Sequence, residues 1–161
     1  LKPGEYESYL LNSQIYDQMQ QPTLADHELQ KGISKAFRAD KVLTQLYNRK
    51  IALGKYSEAL EVTNRLIKYG TGKSFKDGEL LKARVYAKTG RRVEALRIYE
   101  KWRNKYPWKS NYRAWIIEIR LAINDLAGAK AELQDAKKGG VSKAGLLKLT
   151  NLIQAQTGKP E

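Results

Sequence analysis

Residues 54–60 read Gly54-Lys-Tyr-Ser-Glu-Ala59-Leu60, and residues 90–96 repeat the pattern as Gly90-Arg-Arg-Val-Glu-Ala95-Leu96. Weaker copies are Gln20-Gln-Pro-Thr-Leu-Ala25 and Asn124-Asp-Leu-Ala-Gly-Ala129. The alanines therefore recur after 34, 36 and 34 residues. A glycine just past a helix end, followed shortly by a small residue, indicates a tight turn into a closely packed partner helix. The four copies predict a helical-repeat architecture.

The rest of the chain carries the apolar periodicity of helices, interrupted at regular intervals by glycine, proline and asparagine. These interruptions divide it into about nine helices, and no segment alternates polar and apolar residues for long enough to indicate a strand. The last segment, from Ser142 to Gln156, has one apolar stripe made of Leu146, Leu147, Leu149, Leu152 and Ile153. Because an array must cover its final apolar face, we expect this segment to be a capping helix.

The four copies resemble the tetratricopeptide repeat, a helix–turn–helix unit of about 34 residues. The third copy matches the family pattern at Tyr86, Gly90, Ala95, Tyr99 and Pro107. The other copies match at Tyr9, Ser13, Tyr16, Ala25 and Leu29, at Leu43, Leu46, Gly54, Tyr56 and Ala59, and at Asn124, Ala129, Leu133 and Ala136. Lys50 and Arg120 depart from the pattern, because each stands where a tyrosine is usual.

The resemblance implies an all-α fold, a right-handed α-solenoid of about four antiparallel helix pairs plus a C-terminal capping helix. We expect one array over residues 1–161, with repeats at about 6–39, 40–75, 76–109 and 110–141 and the capping helix at 142–157. Because the chain begins at Leu1 and not at methionine, we expect it to be a segment of a longer protein.

The formal charge is +13; residues 35–110 carry most of the basic excess, whereas residues 1–34 are net acidic. Such a positive field favours encounter with an anionic partner. An acidic protein, nucleic acid or a charged polysaccharide would each be such a partner. The excess can equally be a solvated outer face, because many of the cations fall on the expected second helices and turns.

Several classes of function are excluded by residue types. The absence of cysteine excludes disulfides and thiolate metal sites, and no apolar run reaches the roughly 18 residues of a membrane span. His27 is the only histidine, and no set of nucleophile, base and oxyanion donor can be assembled. We therefore predict that the chain is not an enzyme and has no catalytic, cofactor or metal site.

The segment Gly70-Thr-Gly-Lys73-Ser74 ends like a phosphate-binding loop. The loop motif needs an opening glycine and a preceding strand, but Ile67 stands at that position and a helical pattern precedes it. We interpret the segment instead as a glycine helix cap, with Ser74 or Asp77 as the next N-cap.

In the tetratricopeptide family the first helix of each pair lines a concave surface that holds peptides. The resemblance implies this role for Lys41, Asn48, Arg84, Lys88 and Trp115, and it places Gln14, Asp17, Thr44, Asp77, Leu80, Asn111 and Glu118 on the same surface. Trp108 and Lys109 are further candidates, from a stretch in which aromatic and basic residues alternate. Rings beside cations can stack bases or sugars, but they can also lock neighbouring helix pairs around a turn.

The sequence therefore predicts a non-catalytic scaffold or adaptor domain without a cofactor, which binds a peptide or partner protein on its concave surface; an acidic partner would suit the charge. One alternative is binding of nucleic acid or a charged polysaccharide through the basic middle third. Another is an accessory domain of a larger enzyme or of a secretion or assembly component. We expect a location in the cytoplasm or in the bacterial periplasm or envelope, with a lean to the latter because cysteine is absent and the start looks truncated.

Overall fold

The structure, a computed structural model, describes residues 5–35 and 40–158. Over these ranges it contains nine α-helices and no strand, which confirms the predicted all-α helical-repeat class. The helices are α1 Glu5–Gln18, α2 Pro22–Lys35, α3 Asp40–Ala52, α4 Tyr56–Tyr69, α5 Lys73–Lys88, α6 Arg92–Lys105, α7 Ser110–Ala122, α8 Leu126–Lys138 and α9 Lys143–Thr157.

The turn that follows each odd-numbered helix from α1 to α7 has the same backbone geometry. The residue at its apex has a positive φ, which is 57° at Gln20, 68° at Gly54, 80° at Gly90 and 60° at Asn124. In all four turns the next N–H donates to the carbonyl five residues back, at 2.8 Å. This is the hydrogen bond of a Schellman cap, so the four weakly similar sequences form one structural repeat.

The four alanines occupy equivalent positions. Ala25, Ala59, Ala95 and Ala129 are each the fourth residue of their helix, and each side chain is 0% exposed. Each alanine N–H donates to the carbonyl of the residue just before its helix, at 3.0–3.2 Å. The prediction that a small residue recurs where helices cross closely is therefore confirmed.

The chain divides into two compact units, unit 1 (Leu1–Val85) and unit 2 (Tyr86–Glu161). In unit 1, α1 packs on α2, α3 on α4, and α2 on α3. Its core includes Leu29, Val42, Leu46 and Leu66, each at most 2% exposed. The helices α1 and α2 approach so closely that a Cβ added at Gly32 would lie 3.0 Å from the Cβ of Tyr9.

In unit 2, α7 is the central helix and contacts α6, α8 and α9. Its core joins Ile117 of α7 and Ala129 of α8 to Leu149 and Ile153 of α9. The helix expected over residues 142–157 is thus present as α9, and its apolar stripe packs on α7 and α8. The exception is Leu147, which is 61% exposed. Ser142 is its N-cap and accepts a hydrogen bond from the Gly145 N–H at 3.2 Å.

The start of α5 differs from the expectation. This helix begins at Lys73, so neither Ser74 nor Asp77 is its N-cap, and both lie inside the helix. The Ser74 hydroxyl, now in the first turn of α5, donates a hydrogen bond to the Asp40 carboxylate at the start of α3. Ser74 therefore joins two helices of unit 1.

Candidate functional site

Two grooves lie between the odd-numbered helices of unit 1. The first, named here the α3–α5 groove, has a volume of about 380 Å³ and is lined by Asp40, Lys41, Thr44, Gln45, Leu66, Lys73, Ser74 and Asp77. The second, named here the α1–α3 groove, has a volume of about 320 Å³ and is lined by Asp17, Pro22, Asn48, Arg49, Ala52 and Leu53. Of the candidate residues, Lys41 lines the first groove and Asn48 lines the second.

The α3–α5 groove has a mixed polar lining. Lys41 is exposed, and its Nζ lies 5.4 Å from the centroid of the Tyr6 ring. The nearby Tyr6 side chain raises the pKa of Lys41 above the ordinary 10.5. The Thr44 hydroxyl donates to the Asp40 carbonyl at 2.7 Å, so its oxygen still has room to accept. The groove thus presents cations and carboxylates together.

The wall of the α1–α3 groove is fixed by ion pairs. The Arg49 guanidinium donates to Asp26 at 2.7 Å, to the Pro22 carbonyl at 3.0 Å, and to Asp17. The neighbouring Asn48 is exposed, and its amide can both donate and accept hydrogen bonds. Arg49 therefore holds α1, α2 and α3 together, while Asn48 is the polar group that a ligand could reach.

Lys50 stands at a position where the family usually has tyrosine, and it is only 7% exposed. Its Nζ pairs with Asp26 of α2 at 2.7 Å and with Glu58 of α4 at 2.6 Å. Burial opposes the charge on Lys50, but these hydrogen bonds outweigh it and raise its pKa above 10.5. Burial likewise opposes ionisation of Asp26, but hydrogen bonds from Lys50 and Arg49 lower its pKa below 3.8.

The other departure from the family pattern has a similar explanation. Arg120 of α7 donates to Asp125, the N-cap of α8, at 2.7 Å and approaches Glu100 of α6 at 3.5 Å. At both positions a cation replaces the tyrosine and pairs with carboxylates of the flanking helices. These cations therefore belong to the scaffold.

Arg84 and Lys88 are both exposed on α5. Within unit 1, Arg84 lies near Tyr47 of α3, whose hydroxyl donates to the Leu81 carbonyl at 3.3 Å. Burial raises the pKa of Tyr47 above its ordinary value of 10.0, and the charge of Arg84 partly offsets this effect. Arg84 thus lies beside α3, whose residues Lys41 and Asn48 line the two grooves.

The aromatic residues of unit 2 form one connected cluster. Trp102 stacks on Tyr106 with ring centroids 6.0 Å apart, and Tyr106 meets Trp108 edge to face at 5.8 Å. From Tyr106 the contacts continue to Tyr112, Trp115 and Tyr99. Trp108 is 53% exposed, whereas Trp115 is half-buried among other rings. The cluster therefore locks α6 to α7, and Trp108 is its solvent-facing end, next to the exposed Lys109.

A buried ion triad in unit 2 was not expected from the sequence. Arg113 is 3% exposed and donates to Glu132 at 2.6 Å and to the Pro107 carbonyl at 3.1 Å. Arg103 donates to the other oxygen of Glu132 at 2.8 Å. Arg103 and Arg113 both belong to the stretch in which aromatic and basic residues alternate, and both hold α6, α7 and α8 together through Glu132. The available signal was Glu132 itself, which shares the apolar face of α8 with Ala129 and Ala136.

Within residues 5–35 and 40–158, the structure has neither a metal-binding cluster nor a membrane-crossing helix. No three His, Cys, Asp or Glu side chains there lie close enough together to bind a metal ion. No helix in those ranges combines the length and apolar character that a membrane crossing requires. His27 is exposed on α2.

No protein-family model matches the sequence, and no curated protein matches it. Among solved structures, a tetratricopeptide repeat protein from Parabacteroides merdae ATCC 43184 is similar, with a TM-score of 0.71 and 15% identity. PilW, a type IV pilus biogenesis factor, is similar with a TM-score of 0.67 and 15% identity.

These alignments cover 97% and 98% of this chain. They cover 61% of the first neighbour, so the chain spans less than two thirds of that protein, and 72% of PilW. The likeness confirms that the chain has a tetratricopeptide-repeat-like fold. At 15% sequence identity, the similarity to these two structures is evidence about the fold alone.

Proposed function

We propose that the protein is a non-catalytic interaction domain that binds a peptide or a partner protein on the surface formed by α3 and its neighbours in unit 1. The observation that carries this proposal is that Lys41 and Asn48 project from one helix into two adjacent grooves. They are seven residues apart, which is two helical turns or about 10 Å along α3. That distance matches about three residues of an extended peptide.

The chemistry of the two grooves suits a peptide. The Asn48 amide can pair with both the N–H and the C=O of an extended main chain. Lys41 can pair with a carboxylate or a carbonyl, while Asp40 and Asp77 can accept from a basic side chain or an N–H. Pre-ordered walls reduce the entropy lost on binding, and the Arg49 ion pairs supply such order in the α1–α3 groove.

The anionic-polymer alternative receives less support. Nucleic acid binding depends on many cations that can each reach a phosphate. Here Lys50, Arg103 and Arg113 are engaged by carboxylates inside the scaffold, and the two grooves also contain acidic groups. A role as an accessory domain of a larger enzyme or of a secretion or assembly component is compatible with the proposal.

The experiment is a peptide-display selection on the full chain, followed by affinity measurement for the selected peptides. Lys41→Glu and Asn48→Ala should each weaken binding at least about fivefold, because each removes a ligand-facing group of one groove. Matched controls are Lys68→Glu and Gln30→Ala, at exposed positions on α4 and α2, and these should change affinity less than about twofold. Equal binding by all four variants would show that the selected peptides bind elsewhere.

A further inference from the structure

Four segments of unit 2 meet at one end of that unit. Gly145, in the first turn of α9, lies so close to α7 that an added Cβ would be 3.1 Å from the Cβ of Ser110. Gly139, just after α8, lies so close to the turn between α6 and α7 that an added Cβ would be 3.0 Å from the Pro107 carbonyl oxygen. The end of α6, the start of α7, the end of α8 and the start of α9 are therefore neighbours.

Exposed lysines collect at this end of unit 2, which is named here the lysine end. One lysine ends α6, one precedes α7, two end α8 and one begins α9; they are Lys105, Lys109, Lys137, Lys138 and Lys143. Residues 101–113 and 135–148, which contain these lysines, include a single acidic side chain, Asp135. The lysine end therefore has an excess of positive charge.

The buried carboxylate nearest to this end does not offset the excess. Glu132 of α8 binds Arg113 at 2.6 Å and Arg103 at 2.8 Å, so two arginines inside unit 2 already balance its charge. Across residues 5–35 and 40–158, no carboxylate lies within ion-pair distance of the five lysines. Their ammonium groups are therefore available to an anionic surface.

An exposed indole lies at the same end. Trp108 belongs to the turn between α6 and α7 and is 53% exposed. Tyr106 supports it edge to face at 5.8 Å, and Lys105 Nζ also lies 5.8 Å from the centroid of the Tyr106 ring. Because an indole has an apolar body and one polar N–H, it favours the boundary between water and an apolar phase. The lysine end thus presents cations and one amphipathic ring together.

We propose that the lysine end and Trp108 form a site that adsorbs unit 2 to the surface of an anionic lipid bilayer. Clusters of about four to eight cations bind anionic headgroups, and each lysine near such a surface strengthens binding about fivefold. Trp108 enters the headgroup region, while the lysines remain among the charged groups of the lipids. This site is separate from the grooves of unit 1, and it does not depend on their function.

The arrangement of the lysines favours a surface over a single chain as the occupant. Neighbouring helix axes lie about 8–10 Å apart, so the ends of α6, α8 and α9 around α7 cover an area roughly 20 Å wide. A bilayer can meet all of these ends at once, whereas an extended peptide or a nucleic acid strand follows one line across them.

The residue types favour a lipid surface as well. All five cations are lysines, which act as flexible point charges, whereas arginine makes the planar paired contacts that are typical of specific phosphate recognition. Binding of single-stranded nucleic acid uses several rings as platforms for successive bases. At the lysine end Trp108 is exposed, whereas Trp102 is buried.

The test is co-sedimentation of the full chain with vesicles of phosphatidylcholine that contain about one third phosphatidylserine, and with vesicles of phosphatidylcholine alone. The chain should bind the anionic vesicles at least about tenfold more tightly, and added salt should reduce this difference. On binding, the tryptophan emission should shift to shorter wavelength, because Trp108 leaves water. Trp108→Phe should abolish that shift.

Two double variants test whether the site extends over several helices. Lys137→Gln with Lys138→Gln removes charges at the end of α8, and Lys109→Gln with Lys143→Gln removes charges at the starts of α7 and α9. Each double variant should weaken binding to the anionic vesicles at least about tenfold. A partner that contacts one helix end would be sensitive to one of the two variants only.

The matched control is Lys55→Gln with Lys68→Gln, at exposed positions of unit 1. It removes the same charge and should change the affinity for anionic vesicles less than about threefold, because these lysines lie outside the site. Asn48→Ala should leave vesicle binding unchanged, which separates this site from the grooves of unit 1. Helix content by circular dichroism checks that every variant is folded.

Three results overturn the proposal. The first is equal binding of anionic and neutral vesicles. The second is a loss in the control as large as that in the lysine-end variants, or a loss in only one of those two variants. The third is displacement of the chain from the vesicles by a single-stranded oligonucleotide or a polyglutamate peptide that supplies the same concentration of negative charge, since the site would then serve nucleic acid or an acidic protein.

Discussion

Arg113 and Glu132 form an ion pair of 2.6 Å in which both side chains are at most 4% exposed. Arg103 approaches the same carboxylate at 2.8 Å, so one buried acid joins helices α6, α7 and α8. The transfer of such charges from water is costly, and their attraction offsets the cost only while every partner is present.

Glu132→Ala should therefore lower the free energy of unfolding by about 3–5 kcal/mol, because it leaves Arg113 buried without a counter-charge. Urea denaturation followed by circular dichroism measures the change. The double variant Glu132→Leu with Arg113→Met should recover most of the loss, since apolar residues of similar volume replace the whole pair. A double variant as unstable as the single one would contradict this explanation.

Lys50→Met should destabilise the protein at neutral pH by about 1.5–3 kcal/mol, because it removes charge-assisted hydrogen bonds to Asp26 and Glu58. The folded pKa of Asp26 is below 3.8, so its carboxylate stabilises the folded state above that pH. This contribution disappears as the pH falls through the folded value. The stability difference between wild type and variant should therefore narrow below about pH 3.8.

At high pH the contribution of Lys50 to the free energy of unfolding changes in the opposite direction. The folded pKa of Lys50 is above 10.5, so its contribution is complete below that pH and is lost as the pH rises through the folded value. Urea denaturation at a series of pH values measures the loss of stability at both acidic and basic pH. Lys55→Met is the control, because Lys55 is exposed and lies 3.6 Å from Glu58. A stability difference for Lys50→Met that does not vary with pH would count against the ion network.

Ala129→Leu should lower the free energy of unfolding by about 1–3 kcal/mol, because the larger side chain must separate closely packed helices. Ala127→Leu is a matched control on the same helix, at an exposed position, and should change stability by less than about 0.5 kcal/mol. Thermal and urea unfolding measure both variants. Equal effects of the two substitutions would contradict the role assigned to the recurring alanine.

Gln20→Gly should raise the free energy of unfolding by about 1 kcal/mol, because glutamine at a φ of 57° carries a left-handed strain that glycine avoids. Gly90→Ala should lower it by a similar amount of about 1 kcal/mol, since φ is 80° there. Gln14→Gly, at an exposed position inside α1, is the control and should destabilise. No gain from Gln20→Gly would mean that the first turn differs from the other three.

The fold could be predicted because its signals are local. The turn glycines at 54 and 90 and the alanines at 59 and 95 depend on backbone geometry within a few residues, and short-range patterns record such geometry well. Even the weak copy at Gln20 adopts the same turn, although nothing in that residue type favours a positive φ. The surrounding helices impose the conformation there.

The ion networks could not be predicted, because their partners come together only in the folded chain. Lys50 departs from the family pattern in the sequence, but its partner Asp26 lies 24 residues away along the chain. The sequence also could not show which of Trp108 and Trp115 is the more exposed to solvent. They belong to one aromatic stretch, and only the packing of Trp115 between Tyr99 and Tyr112 distinguishes the half-buried ring from the exposed one.

The proposed binding surface on α3 is most directly tested by NMR chemical-shift mapping of the isotope-labelled chain with a display-selected peptide. The largest shifts should fall on Lys41, Thr44 and Asn48 and on the residues of α5 that face them. The same peptide should leave the chemical shifts of α8 and α9 unchanged. Large shifts confined to α6 through α9, with α3 unaffected, would contradict the assignment of partner binding to this surface.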